Sequence, residues 1–179
     1  LREVEPYLKK AAQANTKIKY IFETHFHADF VSGHIDLAEK SGAQIVYGPT
    51  AVTTFPSHIA KDGEEFKIGD LTITALHTPG HTLESTTYLL TDKNGVKHCI
   101  FTGDTLFIGD VGRPKKKKKG DLTMEDLAGI LYDSLHAKIM PLPDDIIVYP
   151  GHGAGSACGK SMSKETFDTL GHQKEVNYA

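Results

Sequence analysis

Apolar and polar positions alternate between two periods along this chain. Pro6 to Ala14 has helical composition, and Ile18 to Glu23 is a short run rich in β-formers. Val31, Ile35 and Ala38 share one helical face, which predicts a helix ending near Gly42. Gln44 to Tyr47 reads as a short strand closed by Gly48-Pro49, and Leu71 to Ala75 alternates with period two, as a half-buried strand does. Thr86 to Leu90 and His98 to Phe101 read as two further strands joined by a turn at Asp92-Lys93-Asn94-Gly95. Thr123 followed by Asp126 is a helix start leading into an amphipathic stretch that Pro141 and Pro143 end. Ile146 to Tyr149 is a buried-strand pattern, and Ser163 to Gln173 predicts a last helix. Strands and helices interleaved by short connections predict an α/β layered domain, 1–179, with no internal repeat and no interdomain linker.

Composition narrows this. The 179 residues, 39% of them apolar, suffice for one sizeable core. No apolar run approaches the roughly 18 residues that cross a bilayer, and no signal segment opens the chain, so a cytoplasmic protein without membrane contact is expected. Formal net charge is −3, which gives no footprint for nucleic acid. Five basic residues lie in one run, Lys115 to Lys119, expected as a solvated surface loop; removing their five charges takes −3 to −8. Two cysteines, Cys99 and Cys158, are too few for a disulfide framework. Ten histidines point to metal if they fall at ligand spacings.

Four of them do. Each of four segments lies just after a predicted strand: Thr24-His25-Phe26-His27-Ala28-Asp29, Thr78-Pro79-Gly80-His81-Thr82, Thr102-Gly103-Asp104-Thr105 and Tyr149-Pro150-Gly151-His152-Gly153. His-x-His in an irregular loop places two imidazoles close enough to share an ion, and Pro-Gly turns fix the direction of a following imidazole. Imidazole and carboxylate are ordinary ligands for zinc and iron, so neither thiol need take part. Loops at strand ends in open α/β sheets converge on one edge, which makes the conjunction far more specific than any single piece.

THFHAD, TPGHT, FTGDTLF and YPGHG, in that order, resemble the metallo-β-lactamase superfamily, and within it the glyoxalase II and persulfide dioxygenase branch. The resemblance runs from about Val4 to the C-terminus and implies an αββα sandwich, here without the family's first strands, with the metal at the edge between two sheets. In the binuclear hydrolases the first motif continues Asp-His; here Phe30 follows Asp29 and cannot bind metal. The resemblance therefore implies one Fe(II) per chain, with Zn(II) as the alternative, held by His25, His81 and Asp104. His27, Asp29 and His152 become groups that orient those ligands or an alternative ligand set.

The activity implied is a persulfide dioxygenase that oxidises a low-molecular-weight thiol persulfide with O₂ to sulfite and thiol. Three ligands on one face of an octahedral ion would leave positions for sulfur and oxygen. Arg113 is a candidate partner for a substrate carboxylate, or else a loop salt bridge, and Cys158 a candidate neighbour of the substrate sulfur. A homo-oligomer is expected, and the similarity to bacterial dioxygenases that carry a rhodanese domain leaves room for one beyond Ala179. Two alternatives stand beside this reading: a glyoxalase II-like hydrolase cleaving a thioester, and a metal-binding module without turnover. His34, His58, His77, His98, His136 and His172 are read as structural or surface residues, and Cys99 as a small core residue.

Overall fold

Two faces of one large sheet organise the molecule. The computed structural model of the chain describes residues 2–27, 29–114 and 122–178; the lysine run lies outside them. Among the described residues the elements are α1 (Glu5–Gln13), β1 (Tyr20–Phe22), α2 (His34–Ser41), β2 (Gln44–Tyr47), β3 (His58–Ile59), β4 (Glu65–Ile68), β5 (Leu71–His77), β6 (Thr86–Thr91), β7 (Lys97–Gly103), α3 (Met124–Ser134), β8 (Ile147–Pro150), β9 (Asp168–Thr169) and α4 (Leu170–Val176). A π-helical turn, Leu135–Ile139, prolongs α3. Strands β1-β2-β3 form a small parallel sheet, and β4 to β9 form a six-stranded sheet in chain order, antiparallel except where β7 meets β8.

The alternation read in the sequence decides which side chains fill which layer. Val46 of β2 joins Phe66, Ile73, Ala75 and Tyr88 in a core between the two sheets, with Tyr20 and Phe22 packed against it. Its neighbours Ile45 and Tyr47 point the other way, under Ala38 of α2. Leu89, Ile100 and Val148 line the opposite face of the large sheet, against Leu131, Leu135, Ile139 and Leu170. The order α2, small sheet, large sheet, α3 with α4 is the αββα sandwich.

Local chemistry sets the helix ends. The Gly42 backbone is left-handed at φ 73°, and its N–H closes α2 on the Ala38 carbonyl. Thr123 and Asp126 make a reciprocal capping box at the start of α3: the Thr123 hydroxyl accepts the Asp126 N–H at 3.0 Å, and the Asp126 carboxylate accepts the Thr123 N–H at 2.7 Å. The last predicted helix needs correction. Its first half is not helical: the Ser163 N–H is bound by the Ile108 carbonyl and Asp168–Thr169 pair with β8, so the helix starts at Leu170. Strands β3 and β4 also lay outside the sequence reading. Two residues are too few to show a period, and only Phe66 of β4 is buried.

Candidate metal centre

Four strand ends deliver the candidate ligands to one edge of the sandwich. His25 and His27 follow β1, His81 follows β5, Asp104 follows β7 and His152 follows β8. Each is held by identifiable contacts. The Phe26 ring stacks on Tyr47 at 4.6 Å, and its N–H is accepted by the buried Glu84 carboxylate at 3.3 Å. Glu84, three residues after His81, so ties the first ligand loop to the second. Tyr88 donates its hydroxyl to the Glu23 carbonyl at 3.0 Å, fixing the strand end from which the His-x-His loop leaves.

His81 is oriented from behind. Its Nδ1–H is donated to the Arg113 carbonyl at 2.6 Å, which turns Nε2 toward Asp104. Gly80 permits the turn, with φ 142°, and a Cβ there would fall 2.4 Å from the Leu131 Cβ. Gly112 lies so close that a Cβ would stand 1.9 Å from the Asp104 carbonyl oxygen. At Gly151 a Cβ would stand 2.8 Å from Asp104 Oδ1. Gly151 belongs to the Pro-Gly turn of the fourth motif; Gly112 and Glu84 were not singled out in the sequence, and only their positions near the motifs hinted at them.

His25, His81 and Asp104 are fully buried, at 1%, 0% and 1% exposure. Asp104 Oδ2 is 3.2 Å from His81 Nε2 and 3.8 Å from His25 Nε2, and the two imidazoles meet edge to face at 5.0 Å. Asp104 Oδ1 faces the other way, 3.4 Å from His152 Nε2. Neither oxygen accepts a hydrogen bond among the described residues. A buried carboxylate without hydrogen bonds is costly unless a cation faces it, so the donor set fits a metal ion. A second group stands alongside: His27, Asp29 and His152 also bring ligand atoms within 4.8 Å of one another, nearer the surface. Phe30 packs its ring on His27 at 4.3 Å and offers no donor.

Cys158 joins this edge as well, 5% exposed, with its carbonyl accepting the Arg113 N–H at 2.9 Å. Asp110 pins the segment that follows. Its carboxylate accepts the N–H groups of Ser161, at 2.6 Å, and of Lys160, and the Tyr178 hydroxyl at 2.6 Å. Burial would raise the Asp110 carboxyl, but those donors outweigh it and hold the group below its ordinary value. The Arg113 side chain is exposed; its backbone makes the contacts to His81 and Cys158. The remaining histidines stand elsewhere. His58, His98 and His172 pair with Glu64, Asp92 and Asp168, His77 bonds the Leu83 carbonyl, His136 stacks on Tyr132, and His34 lies against Phe55.

The metallo-beta-lactamase superfamily model matches residues 1–152. The chain belongs to this superfamily. The family is one of metal-binding proteins, in keeping with the ligand groups just described. A probable hydroxyacylglutathione hydrolase, glo2 of Schizosaccharomyces pombe, is 37% identical over 179 residues, covering 98% of this chain and 64% of that protein. A metallo-beta-lactamase from Staphylococcus aureus superposes with TM-score 0.90 at 37% identity, over 99% of this chain and 55% of that one. ETHE1 from Myxococcus xanthus superposes at 0.78 with 29% identity, over 98% of this chain and 68% of that one. The chain spans between 47% and 64% of the lengths of the six curated relatives it matches at 32–37% identity.

Those six relatives correct one expectation. All are named as hydroxyacylglutathione hydrolases, two of them as probable ones, and this overturns the persulfide dioxygenase reading in favour of its hydrolase alternative. The physical reason is that two imidazoles and a carboxylate are a donor set that oxygen-activating and hydrolytic centres share. The dioxygenase inference rested on Phe30. Losing that one imidazole still leaves the second ligand group beside Asp104.

Proposed function

We propose that this chain is the metal-dependent hydrolytic domain of a thioester hydrolase, acting on an acylated thiol of the glutathione type. The observation that carries the reading is Asp104, buried and with a carboxylate that accepts no hydrogen bond among the described residues, one oxygen toward His25 and His81 and the other toward His152. The names of the hydrolase relatives supply the substrate class. His25, His81 and Asp104 would hold the ion, with His27 beside His25 at 4.3 Å between ring centroids. A divalent ion there supplies Lewis-acid polarisation of a carbonyl and acidifies water. Imidazole and carboxylate suit zinc and ferrous iron alike, and hydrolysis changes no oxidation state, so zinc suffices.

The protein's own groups divide the remaining work. The Arg113 carbonyl keeps His81 in the tautomer whose Nε2 faces the centre. Asp29, whose side chain is 40% exposed, lies 3.6 Å from His152 Nε2 and 3.9 Å from His27 Nδ1. It is placed to take a proton from the attacking water at a carboxylate oxygen and pass it to solvent. Water adds to the acyl carbon, the carbon–sulfur bond breaks with its electron pair on sulfur, and, one proton having gone to solvent, the products are an acid and a thiolate that takes a proton back from solvent as the free thiol. Among the described residues no helix is long and apolar enough to cross a membrane.

The test is thiol release from an S-acyl glutathione by the intact chain loaded with zinc, run beside an oxygen electrode. Release that stops on chelation, with oxygen constant, is the expected result. Oxygen uptake with a thiol persulfide and no thioester cleavage, or bound metal with neither activity, would overturn the reading.

A further inference from the structure

The residue that the first motif lacks has a counterpart elsewhere in the chain. By the resemblance, Phe30 stands where the binuclear hydrolases carry an imidazole, and its ring packs on His27 at 4.3 Å instead. On the other side of Asp104, the ligand atoms of Asp104, His152 and Cys158 all lie within 4.8 Å of one another. We propose that Asp104, His152 and the Cys158 thiolate form a second metal position, adjoining the one at His25 and His81, with sulfur in place of the missing nitrogen.

Three observations converge on it. Asp104 is 1% exposed and neither of its oxygens accepts a hydrogen bond among the described residues. Oδ2 is turned to the first group, and Oδ1 to His152. A carboxylate disposed in this way is suited to bridging two cations, because a single ion on the Oδ2 side would leave Oδ1 buried with only His152 Nε2 facing it, at 3.4 Å. Cys158 is held in place rather than displayed. Its N–H is donated to Ser156 Oγ at 3.1 Å, its carbonyl accepts the Arg113 N–H, and Asp110 clamps the two residues that follow Gly159. Through Arg113 the same backbone also orients His81, so the loop bearing Cys158 and the first ligand group are set by one strut.

The donor chemistry selects the ion. One thiolate, one imidazole and one carboxylate favour a borderline-soft divalent ion such as zinc or cobalt and disfavour magnesium and calcium. Binding expels the thiol proton to solvent, so affinity at this position rises with pH. Cys99 provides an internal contrast. It lies inside β7, and burial pushes its thiol above the ordinary value, which keeps it protonated. The proposal rests on the metal-dependent reading above but not on the thioester as substrate.

Anaerobic titration of the metal-stripped intact chain with cobalt(II) tests it, reading bound ions per chain and the near-ultraviolet thiolate-to-cobalt charge-transfer band. Two ions are expected, with the band growing over the second equivalent, unchanged in Cys99→Ser and absent in Cys158→Ser, which retains one ion. The double variant Phe30→His with Cys158→Ser is expected to regain the second ion without the band. Two ions with no band in the wild-type chain, or a band that survives Cys158→Ser, would overturn the proposal. If the band behaves as expected and no thioester is cleaved, the thiolate site is supported and the hydrolase reading alone is lost.

Discussion

Replacing Glu23 by glutamine should make the metal-stripped chain more stable, and increasingly so as the pH rises. Glu23 ends the strand segment that leads into His25. Its side chain is 11% exposed, accepts the Ser32 hydroxyl at 3.1 Å and stands 3.6 Å from His34 Nδ1. Burial raises its carboxyl from 4.5 to about 7, against a smaller lowering by the Ser32 hydroxyl. His34 does not supply a compensating cation, because burial holds it below its ordinary 6.5 despite nearby Asp36. A carboxyl raised in the folded state favours folding fully below its unfolded value, and that contribution is lost as pH climbs through the folded value. The interval from 4.5 to about 7 is worth about 3 kcal/mol, at roughly 1.4 kcal/mol per pH unit. Glutamine has the same shape, still accepts from Ser32 and does not titrate. Thermal melts in chelator should therefore separate by under about 1 kcal/mol at pH 5 and by about 3 kcal/mol at pH 8. The latter corresponds to roughly 6–12 °C for a chain of this size. Titrations of groups distant from Glu23 are common to both proteins and cancel in the difference. Parallel pH profiles for the two would refute the reasoning.

Other perturbations act nearer the ligands or far from them. His81→Ala or Asp104→Ala should abolish retention of the ion at the first position, read by elemental analysis after gel filtration; unchanged metal content would refute the ligand assignment. Gly112→Ala forces a methyl group to within 1.9 Å of the Asp104 carbonyl oxygen and 3.0 Å of His81 Nδ1. It should cost about 1–3 kcal/mol and weaken metal binding together, by melts and cobalt titration. Gly129→Ala, on the exposed side of α3 with nothing within 4 Å of the added carbon, should instead stabilise by about 0.5–1 kcal/mol, leaving metal content as it was. Thr123→Ala removes the capping box and should cost about 1 kcal/mol in urea unfolding without altering thiol release.

Much of the fold was legible because its signals are local. The Gly42 stop, the Thr123–Asp126 cap and the period-two alternation of Leu71 to Ala75 each depend on residues a few positions apart. The last helix was misread for the opposite reason. Nothing local to residues 163–169 announces that Ile108 and β8 will claim their backbone. The same divide runs through the site. That His25, His81, Asp104 and His152 sit in loops after strands follows from motif and period; that Asp104 turns one oxygen to each side does not.

By itself, the sequence determined the α/β layering and the loops that carry imidazole and carboxylate, because periodicity and turn chemistry act over short spans of chain, while the superfamily and its sandwich were implied by the resemblance of the four motifs. Only the tertiary structure decided the rest. Glu84 reaches from the His81 loop to the Phe26 amide, Gly112 and Gly151 let backbone close on Asp104, and Cys158 arrives beside His152. Each of these depends on distances across the sheet edge, between residues tens of positions apart, which no local pattern encodes. Phe30 shows the limit most clearly. The sequence marks a donor as missing there, and the folded chain alone shows what stands on the far side of Asp104.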